Sequence, residues 1–380
     1  MLMPSAGIVK SKNLKGFPLQ DGKTDIQNAE VHIKAYCDDD RDIWDRFVLD
    51  NMNSSFFHLS DWKDIVEQSF GHKAHYIMAF QEGKLSGILP LSEVKSRLFG
   101  NALVSVPFGV YGGICSLNLK TELALLNSAA ILGKLMGVDY VELRNENVPS
   151  FMGNSSTVLP EWKTKDLYVT FKKELLSDVE DNFQAIPRKQ RRMVRQGIKA
   201  VLISKIGHQE HLKDFYDIYA RSVRDLGTPV FPFKYFVNLM DTFPQTFILS
   251  VWKGNKMVAG VMTFIFKDRL MPYYGGALKN YYQYAVNDFM YWELMKYGCD
   301  NKFRVFDFGR SKKGTGAYEF KRHWGFEPKA LPYSYRLINR KQMPNVSPAN
   351  PKYSAVINIW KKMPLFLANW IGPKLVRSIP

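Results

Sequence analysis

Apolar residues recur along the chain in two rhythms, and the order of those rhythms occurs twice. In the first half, HYIMAFQEG (75–83) and KLSGILPLSEV (84–94) read as strands joined by a Glu-Gly turn. ALVSVPFGVYGGIC (102–115) predicts a third strand ending in glycines, TELALLNSAAILGKLMG (121–137) has helical spacing, and DYVELRN (139–145) predicts a closing strand. In the second half TFILSVWKG (246–254) and NKMVAGVMTFIFKD (255–268) form the hairpin pair. LMPYYGGAL (270–278) is the glycine-ended strand, NDFMYWELMKYGCDN (287–301) the helix and RVFDFGR (304–310) the closing strand.

Matching segments keep nearly equal separations. Tyr76–Phe80 and Phe247–Val251 lie 171 residues apart, Ser86–Leu91 and Ala259–Phe264 173, and Tyr140–Asn145 and Val305–Arg310 165. These offsets predict two copies of one β-β-β-α-β unit, opened by helices over 38–51 and 210–227. One long α/β sheet with similar hairpins is the alternative. The chain divides into a flexible tail 1–28, a first domain 29–165, a second domain 166–340 and a basic, aromatic tail 341–380. The element order resembles the GNAT acyltransferase fold. The expected class is therefore α+β, with tandem GNAT-like domains whose mixed sheets are flanked by helices. In that fold the strand before the long helix splays from the strand after it, and the acyl donor's carbonyl lies in the cleft between them.

Charge changes this picture. With 52 basic against 36 acidic residues the formal net charge is +16, which favours an anionic partner: nucleic acid, phosphorylated substrate or membrane surface. Three scattered cysteines, Cys37, Cys115 and Cys299, are too few for a secreted disulfide framework. Residues 1–30 carry no signal-peptide core and no stretch approaches a membrane span, so the expected location is cytoplasmic.

The segments IPRKQRRMVRQG (186–197), GTPVFP (227–232), PYYGGA (272–277), FDFGRS (306–311) and GTGAYEFKRHWGFEP (314–328), with FFHLSDWKDIV (56–66), resemble the Fem-type proteins. They are most similar to the branch found with exosortase/PEP-CTERM protein-sorting and exopolysaccharide systems. The resemblance runs from about residue 30 to 340, plus PLFLANWIGPKLVR in the tail. It implies tandem GNAT folds and transfer of an amino acid from aminoacyl-tRNA to the amine of a peptidoglycan precursor. It also implies a role in aminoacyl transfer for a Phe-Lys pair followed by Trp-Gly, here Phe320, Lys321, Trp324 and Gly325.

Attack of an amine on an ester or thioester makes a tetrahedral oxyanion, which needs a donor aimed at it. Lys321 is the candidate for that charge, or for a grip on an RNA terminus; a solvated lysine is the alternative. RKQRRMVRQGIK (188–199) has six basic residues and no acid, and Pro187 suits a helix start. Arg188, Arg191 or Arg192, Arg195 and Lys199 share one face, which expects a phosphate. The resemblance assigns such an arginine to a precursor's diphosphate; a solvated basic helix is the alternative.

FDFGRSKKGTGAYEFK (306–321) has glycines at P-loop spacing, but Thr315 stands where the phosphate-binding lysine belongs. A nucleotide-hydrolase reading therefore fails. Arg310, Ser311, Lys312, Gly314 and Gly316 instead predict an anion-gripping substrate loop at a strand's C-terminal edge. Asp307 orients Arg310 or a substrate amine, or merely ends the strand. Tyr273 and Tyr274 hydrogen-bond a carbonyl or relay a proton, or simply pack. The pairs His72/His75 and His208/His211 lack the further ligands a metal needs, so no metal is expected.

The leading function is thus an amine acyltransferase acting on a cell-envelope or exopolysaccharide precursor, with no tightly bound cofactor. Its donor is aminoacyl-tRNA or acyl-CoA. Neither half has the Q/R-x-x-G-x-G/A loop that cradles the CoA pyrophosphate, and ALKNYYQYAVND (277–288) stands in its place. The competing reading is a catalytically degenerate GNAT-fold module that binds RNA, an anionic polysaccharide or a phosphorylated precursor. The expected partners are an anionic precursor and tRNA, not DNA. Trp360, Phe366 and Trp370 beside Lys361, Lys362, Lys374 and Arg377 suit contact with the inner membrane, or packing on the second domain.

Overall fold

Pro90 decides how the first half is built. The apolar run 84–94 reads as one strand, yet Pro90 has no N–H to give a ladder. The computed structural model, which describes residues 30–96, 99–150, 161–344 and 354–379, breaks the run into Lys84–Leu89 and Ser92–Ser96. The two pieces enter different sheets. One has four strands in the order Val31–Ala35, Ile77–Gln81, Lys84–Leu89, Cys115–Ser116. The other has six: Lys73–Ala74, Ser92–Ser96, Gly100–Ser105, Tyr140–Leu143, Tyr333–Leu337, Trp162–Lys165. The run 102–115 is divided likewise; its strand ends at Ser105, before Pro107, and Cys115–Ser116 joins the other sheet. The expected tail 1–28 lies outside the described residues.

No proline interrupts the corresponding strand of the second half. Lys256–Phe266 runs eleven residues. It lies in a continuous seven-stranded sheet ordered Leu202–Gly207, Phe247–Lys253, Lys256–Phe266, Arg269–Ala277, Val305–Lys312, Tyr168–Glu174, Pro328–Ala330.

Each half contains one parallel pair joined by a long helix, as parallel pairing requires. In the first, Leu119–Leu135 links Gly100–Ser105 to Tyr140–Leu143. In the second, Val286–Asp300 links Arg269–Ala277 to Val305–Lys312. Every other described pairing is antiparallel. The 165-residue offset between the closing strands is therefore the offset of equivalent strands.

The halves are interlocked. Trp162–Lys165 belongs to the first half's sheet and Tyr168–Glu174 to the second's, so the expected division at 165/166 falls between them. The expected second domain, 166–340, needs a correction: its strand Tyr333–Leu337 lies in the first half's sheet, between Tyr140–Leu143 and Trp162–Lys165. Its alternate side chains Tyr333 and Tyr335 are buried there. Aromatic residues also fuse the two cores. Phe56 stacks on Phe264 at 4.6 Å, Phe57 packs on Tyr273 at 5.3 Å, and Phe70 on Tyr235 at 5.0 Å.

The tail's two helices, Ser354–Lys362 and Leu365–Val376, pack on the helix Gln209–Leu226. Trp360 is buried and its indole donates to the Thr228 carbonyl at 3.2 Å. Arg224 donates to the Met363 carbonyl at 3.1 Å.

Tyr335→Pro places a residue without an N–H in a strand paired on both sides, at a cost of about 3 kcal/mol or more. The expected outcome is lower thermal stability, with faster hydrogen exchange at Tyr140–Leu143 in the other half. Unchanged protection there would argue against the exchange.

Candidate active site

The second half's parallel strands touch only at their beginning. Arg269 pairs with Val305 and Leu270 with Phe306, and no further parallel pair forms. Both strands then bulge. Met262 faces Tyr274 but Thr263 faces Pro272, so Tyr273 is the extra residue in its strand. Phe171 faces Gly309 but Lys172 faces Asp307, so Phe308 is the extra residue in the other. A bulge leaves backbone groups unpaired and re-aims the chain. Gly309 takes a left-handed φ of 64°, which a side chain would disfavour.

Lys321 satisfies the second bulge. The helix Gly316–His323, N-capped by Thr315, turns its ammonium back onto the strand. There it donates to the carbonyls of Phe308 at 2.6 Å, Gly309 at 3.1 Å and Arg310 at 3.2 Å. All three protons of the ammonium are engaged. The side chain is half-buried with its charged end innermost, and burial pulls its pKa down to about 7, against the attraction of Asp307.

Asp307 is the buried hub at the seam between the halves. Its Oδ1 accepts from Tyr111 Oη at 3.0 Å and from the Gly309 N–H at 2.8 Å. Tyr111, from the first half, also bonds Thr170. Lys172 Nζ lies 3.1 Å from Oδ2 as an ion pair outside hydrogen-bond geometry. Lys172 in turn pairs with Glu146, which also meets Arg269 at 3.3 Å. Tyr111, Thr170, Lys172, Glu146 and Arg269 were not singled out from the sequence. The equivalence of Tyr140–Asn145 with Val305–Arg310 was the available signal, since it aligns two buried acids, Glu142 and Asp307.

The other expected residues fall in three places. Arg310 is stacked over Tyr168, 4.5 Å from its ring, and reaches Tyr333 Oη at 3.4 Å. Ser311 is buried, and its hydroxyl has no hydrogen-bond partner among the described residues. Lys312, Gly314 and Gly316 continue into the turn; Gly314 needs its positive φ of 73°, whereas Gly316 has open space and no such φ. Three expected contact residues turn out to be core. Trp324, expected to touch substrate, is fully buried and donates to Asp288 Oδ1 at 3.1 Å. Tyr274 is buried against Tyr235, Oη to Oη 2.8 Å. Tyr273 is at least half-buried and donates to the Phe108 carbonyl at 2.8 Å. Aromatic rings beside glycines read as ligand contacts, but tertiary packing claims them.

Phe320 packs on Tyr291, ring centroids 5.6 Å apart. Tyr291 was not foreseen. Its ring also meets Phe308 at 4.8 Å, and its hydroxyl lies 3.4 Å from where a Cβ on Gly275 would stand, so the side chain adjoins both parted strands. Burial pushes its pKa up to about 12, so it stays a donor.

The basic helix Arg188–Lys199 packs Gln190, Val194 and Gly197 inward, with Gly197 against Phe289 of the long helix. Arg188, Arg192, Arg195 and Lys199 are exposed to solvent. Arg191 bonds Gln184, and Arg195 lies over Phe183 at 5.1 Å. Among the described residues none of these cations forms a salt bridge.

The first half closes the equivalent opening. The Arg144 carbonyl accepts from the N–H groups of Gly112 at 3.0 Å and Gly113 at 3.1 Å, and its guanidinium bonds Glu142 and the carbonyls of Val106 and Gly109. A polar cavity of about 270 Å³ lies beyond, lined in part by Tyr111, Asn145, Glu146, Ser55 and His58. Ser55 and His58 are no nucleophilic pair: the Ser55 hydroxyl donates to the Tyr111 carbonyl, and burial holds His58 neutral with a pKa of about 4. A larger cleft of about 620 Å³ lies in the second half beside Ala277–Tyr281, with Arg221, Arg224, Lys256 and Lys279 in its wall.

Residues 182–322 match the family described as an acetyltransferase (GNAT) domain. Among solved structures, the crystal structure of FemX is similar with a TM-score of 0.63 at 14% identity, covering 86% of this chain and 100% of FemX. A tandem GNAT protein from the clavulanic acid biosynthesis pathway gives 0.52 at 9% identity, covering 80% and 98%. The chain has a tandem GNAT fold. The C-terminal domain of a protein described as a lysylphosphatidylglycerol synthetase, from Agrobacterium fabrum, also gives 0.52, at 10% identity over 78% and 91%. No curated protein matches the chain in sequence.

Where a glycine-rich GNAT loop would lie, this fold has the 3-10 turn Lys279–Tyr284, rich in tyrosine. Asp288 occupies the first turn of the following helix. Gln196 of the basic helix donates to the Gln283 carbonyl at 2.5 Å, which brings the exposed cations alongside this turn.

Lys321 carries its charge below pH 7 and loses it above, so its contribution is largest in the acidic arm. Lys321→Met is expected to lower turnover about 10- to 100-fold at pH 6, with the gap to the native protein narrowing as pH rises through 7. A gap independent of pH would assign Lys321 to packing alone.

Proposed function

We propose that the chain is an amine acyltransferase of Fem type, transferring an aminoacyl group to an amino group of an anionic cell-envelope or exopolysaccharide precursor. The observation that carries this reading is the asymmetry of the two halves. Only the second leaves its parallel strands parted, with both edges bulged and a lysine at the bulge. A carbonyl seated between them meets backbone donors freed by the bulge at Tyr273 and the hydroxyl of Tyr291. Those are the groups an oxyanion needs as the amine attacks. Lys321 acts as a positioning residue, holding the Phe308–Arg310 bend by three hydrogen bonds. Tyr291 keeps its proton at neutral pH and relays one during the reaction: it gives its own to the oxygen of the departing alcohol and takes up the proton that the attacking amine sheds as the amide forms.

Aminoacyl-tRNA is favoured over acyl-CoA as the donor. The turn 279–284 offers no glycine cradle for a pyrophosphate, while the exposed cations of Arg188–Lys199 flank it and match a polyanion. The precursor's amine enters from the first-half cavity beside Tyr111 and Glu146.

Two experiments test this. The full chain, given a charged tRNA pool and an amine-bearing precursor extract, is expected to move labelled amino acid into an acid-stable amide. Acetyl-CoA in place of tRNA is expected to give less. RNA binding with no turnover from either donor would leave the binding-module reading. Separately, Arg188→Glu with Arg192→Glu should weaken tRNA binding at least about tenfold. It should also flatten the log–log salt dependence by roughly one unit of slope for each phosphate no longer neutralised. Unchanged affinity and slope would make this a merely solvated helix.

A further inference from the structure

The C-terminal helices have two faces, and the fold uses only one. Ala368, Gly372 and Val376 of Leu365–Val376 are buried, and Gly372 sits so close to Val230 that a Cβ would lie 2.9 Å from its backbone nitrogen. Trp360 fills the equivalent place on Ser354–Lys362. Both helices are therefore docked, and among the described residues the opposite face has no packing duty. That face is apolar: Val356 is 59% exposed, Ile359 65%, Phe366 72% and Trp370 64%. Phe366, Trp370, Lys374 and Arg377 follow one another at three- and four-residue steps along one stripe. Lys374 Nζ stands 4.2 Å above the Trp370 ring. Lys361 and Lys362 are exposed at the end of the first helix, and residues 354–379 contain no acid.

We propose that this outward face is a docking surface for a membrane rich in anionic lipid. Exposed aromatic residues are stable at the boundary between headgroups and acyl chains, where the ring is half dry and the indole N–H stays wet. Arg377 turns its guanidinium back against Gly71 of the first half, but Lys361, Lys362 and Lys374 are exposed and form no salt bridge among the described residues, so these three cations complement an anionic leaflet. The helices lie on the surface and do not cross it. Leu365–Val376 is about 18 Å long against a core of about 30 Å. No helix among the described residues is long and apolar enough to cross a membrane. A soluble partner protein would match the aromatic residues but not the acid-free run of cations on the two helices themselves.

The surface adjoins the 620 Å³ cleft. Arg224 lines that cleft and also holds the Met363 carbonyl at the junction of the two helices.

Co-sedimentation of the full chain with vesicles tests the proposal. Vesicles of phosphatidylcholine with phosphatidylglycerol are expected to bind the native protein, and phosphatidylcholine alone to bind it at least about tenfold less. Phe366→Ser with Trp370→Ser should lower binding to the anionic vesicles at least about tenfold, because two interfacial rings are removed. Lys361→Glu with Lys362→Glu and Lys374→Glu should do the same and remove the preference for anionic lipid. Both variants change outward residues only, so their melting temperatures should stay native; a variant that fails to fold is replaced by Phe366→Ala and Trp370→Ala tested singly. Absence of native binding, or equal binding by the apolar variant, overturns the proposal, the latter pointing to the helix Arg188–Lys199 instead. A dimer in sedimentation equilibrium that the apolar variant dissolves, without vesicle binding, also overturns it and makes this face a self-contact.

Discussion

A buried carboxylate at the seam sets the relation between the halves. Asp307 cannot keep its charge in the interior without partners. Those partners come from several segments: Tyr111 from the first half, Lys172 from the strand that follows it, and the Gly309 N–H from its own bulge. Lys172 is shared with Glu146, and Glu146 with Arg269. Sliding one half against the other would strand several of these charges at once. The parted strands of the second half thus stand in fixed register with the cavity of the first, whose wall contains Tyr111 and Glu146.

The two copies have diverged in what they do with one position. Glu142 and Asp307 occupy equivalent sites and both are buried. Glu142 is paired within its own half by Arg144, which then plugs the opening between the strands. Asp307 is paired across the seam, and the lysine beside it caps a bulge without filling the cleft. One copy has become a wall and a pocket, and the other keeps the opening.

The repeat was legible because hydrophobic periodicity and nearly constant offsets are local properties. The basic helix was legible for the same reason: Pro187 starts it and its cations fall at helical steps. Tertiary choices were not. KLSGILPLSEV is apolar on both sides of Pro90, and only the lost N–H at that residue assigns its pieces to two sheets. Trp324 and Tyr274 carry the composition of a binding site, but their rings are enclosed by the core. Lys321 was found by its motif, whereas its three carbonyl partners depend on a bulge that no sequence pattern marks. Tyr291 stood unnoticed in a helical run whose other aromatic residues are core.

The exchanged strand has a consequence for biosynthesis. Tyr333–Leu337 leaves the ribosome about 190 residues after Tyr140–Leu143, the strand it must join. At roughly 5–20 residues per second the first half waits on the order of 10 to 40 seconds with that edge open. An open apolar edge is a template for any neighbouring chain. On a crowded polysome the nearest neighbour is a nascent copy of the same sequence carrying the same strand. Closing on its own C-terminal strand before a sibling supplies one is the kinetic problem this topology sets.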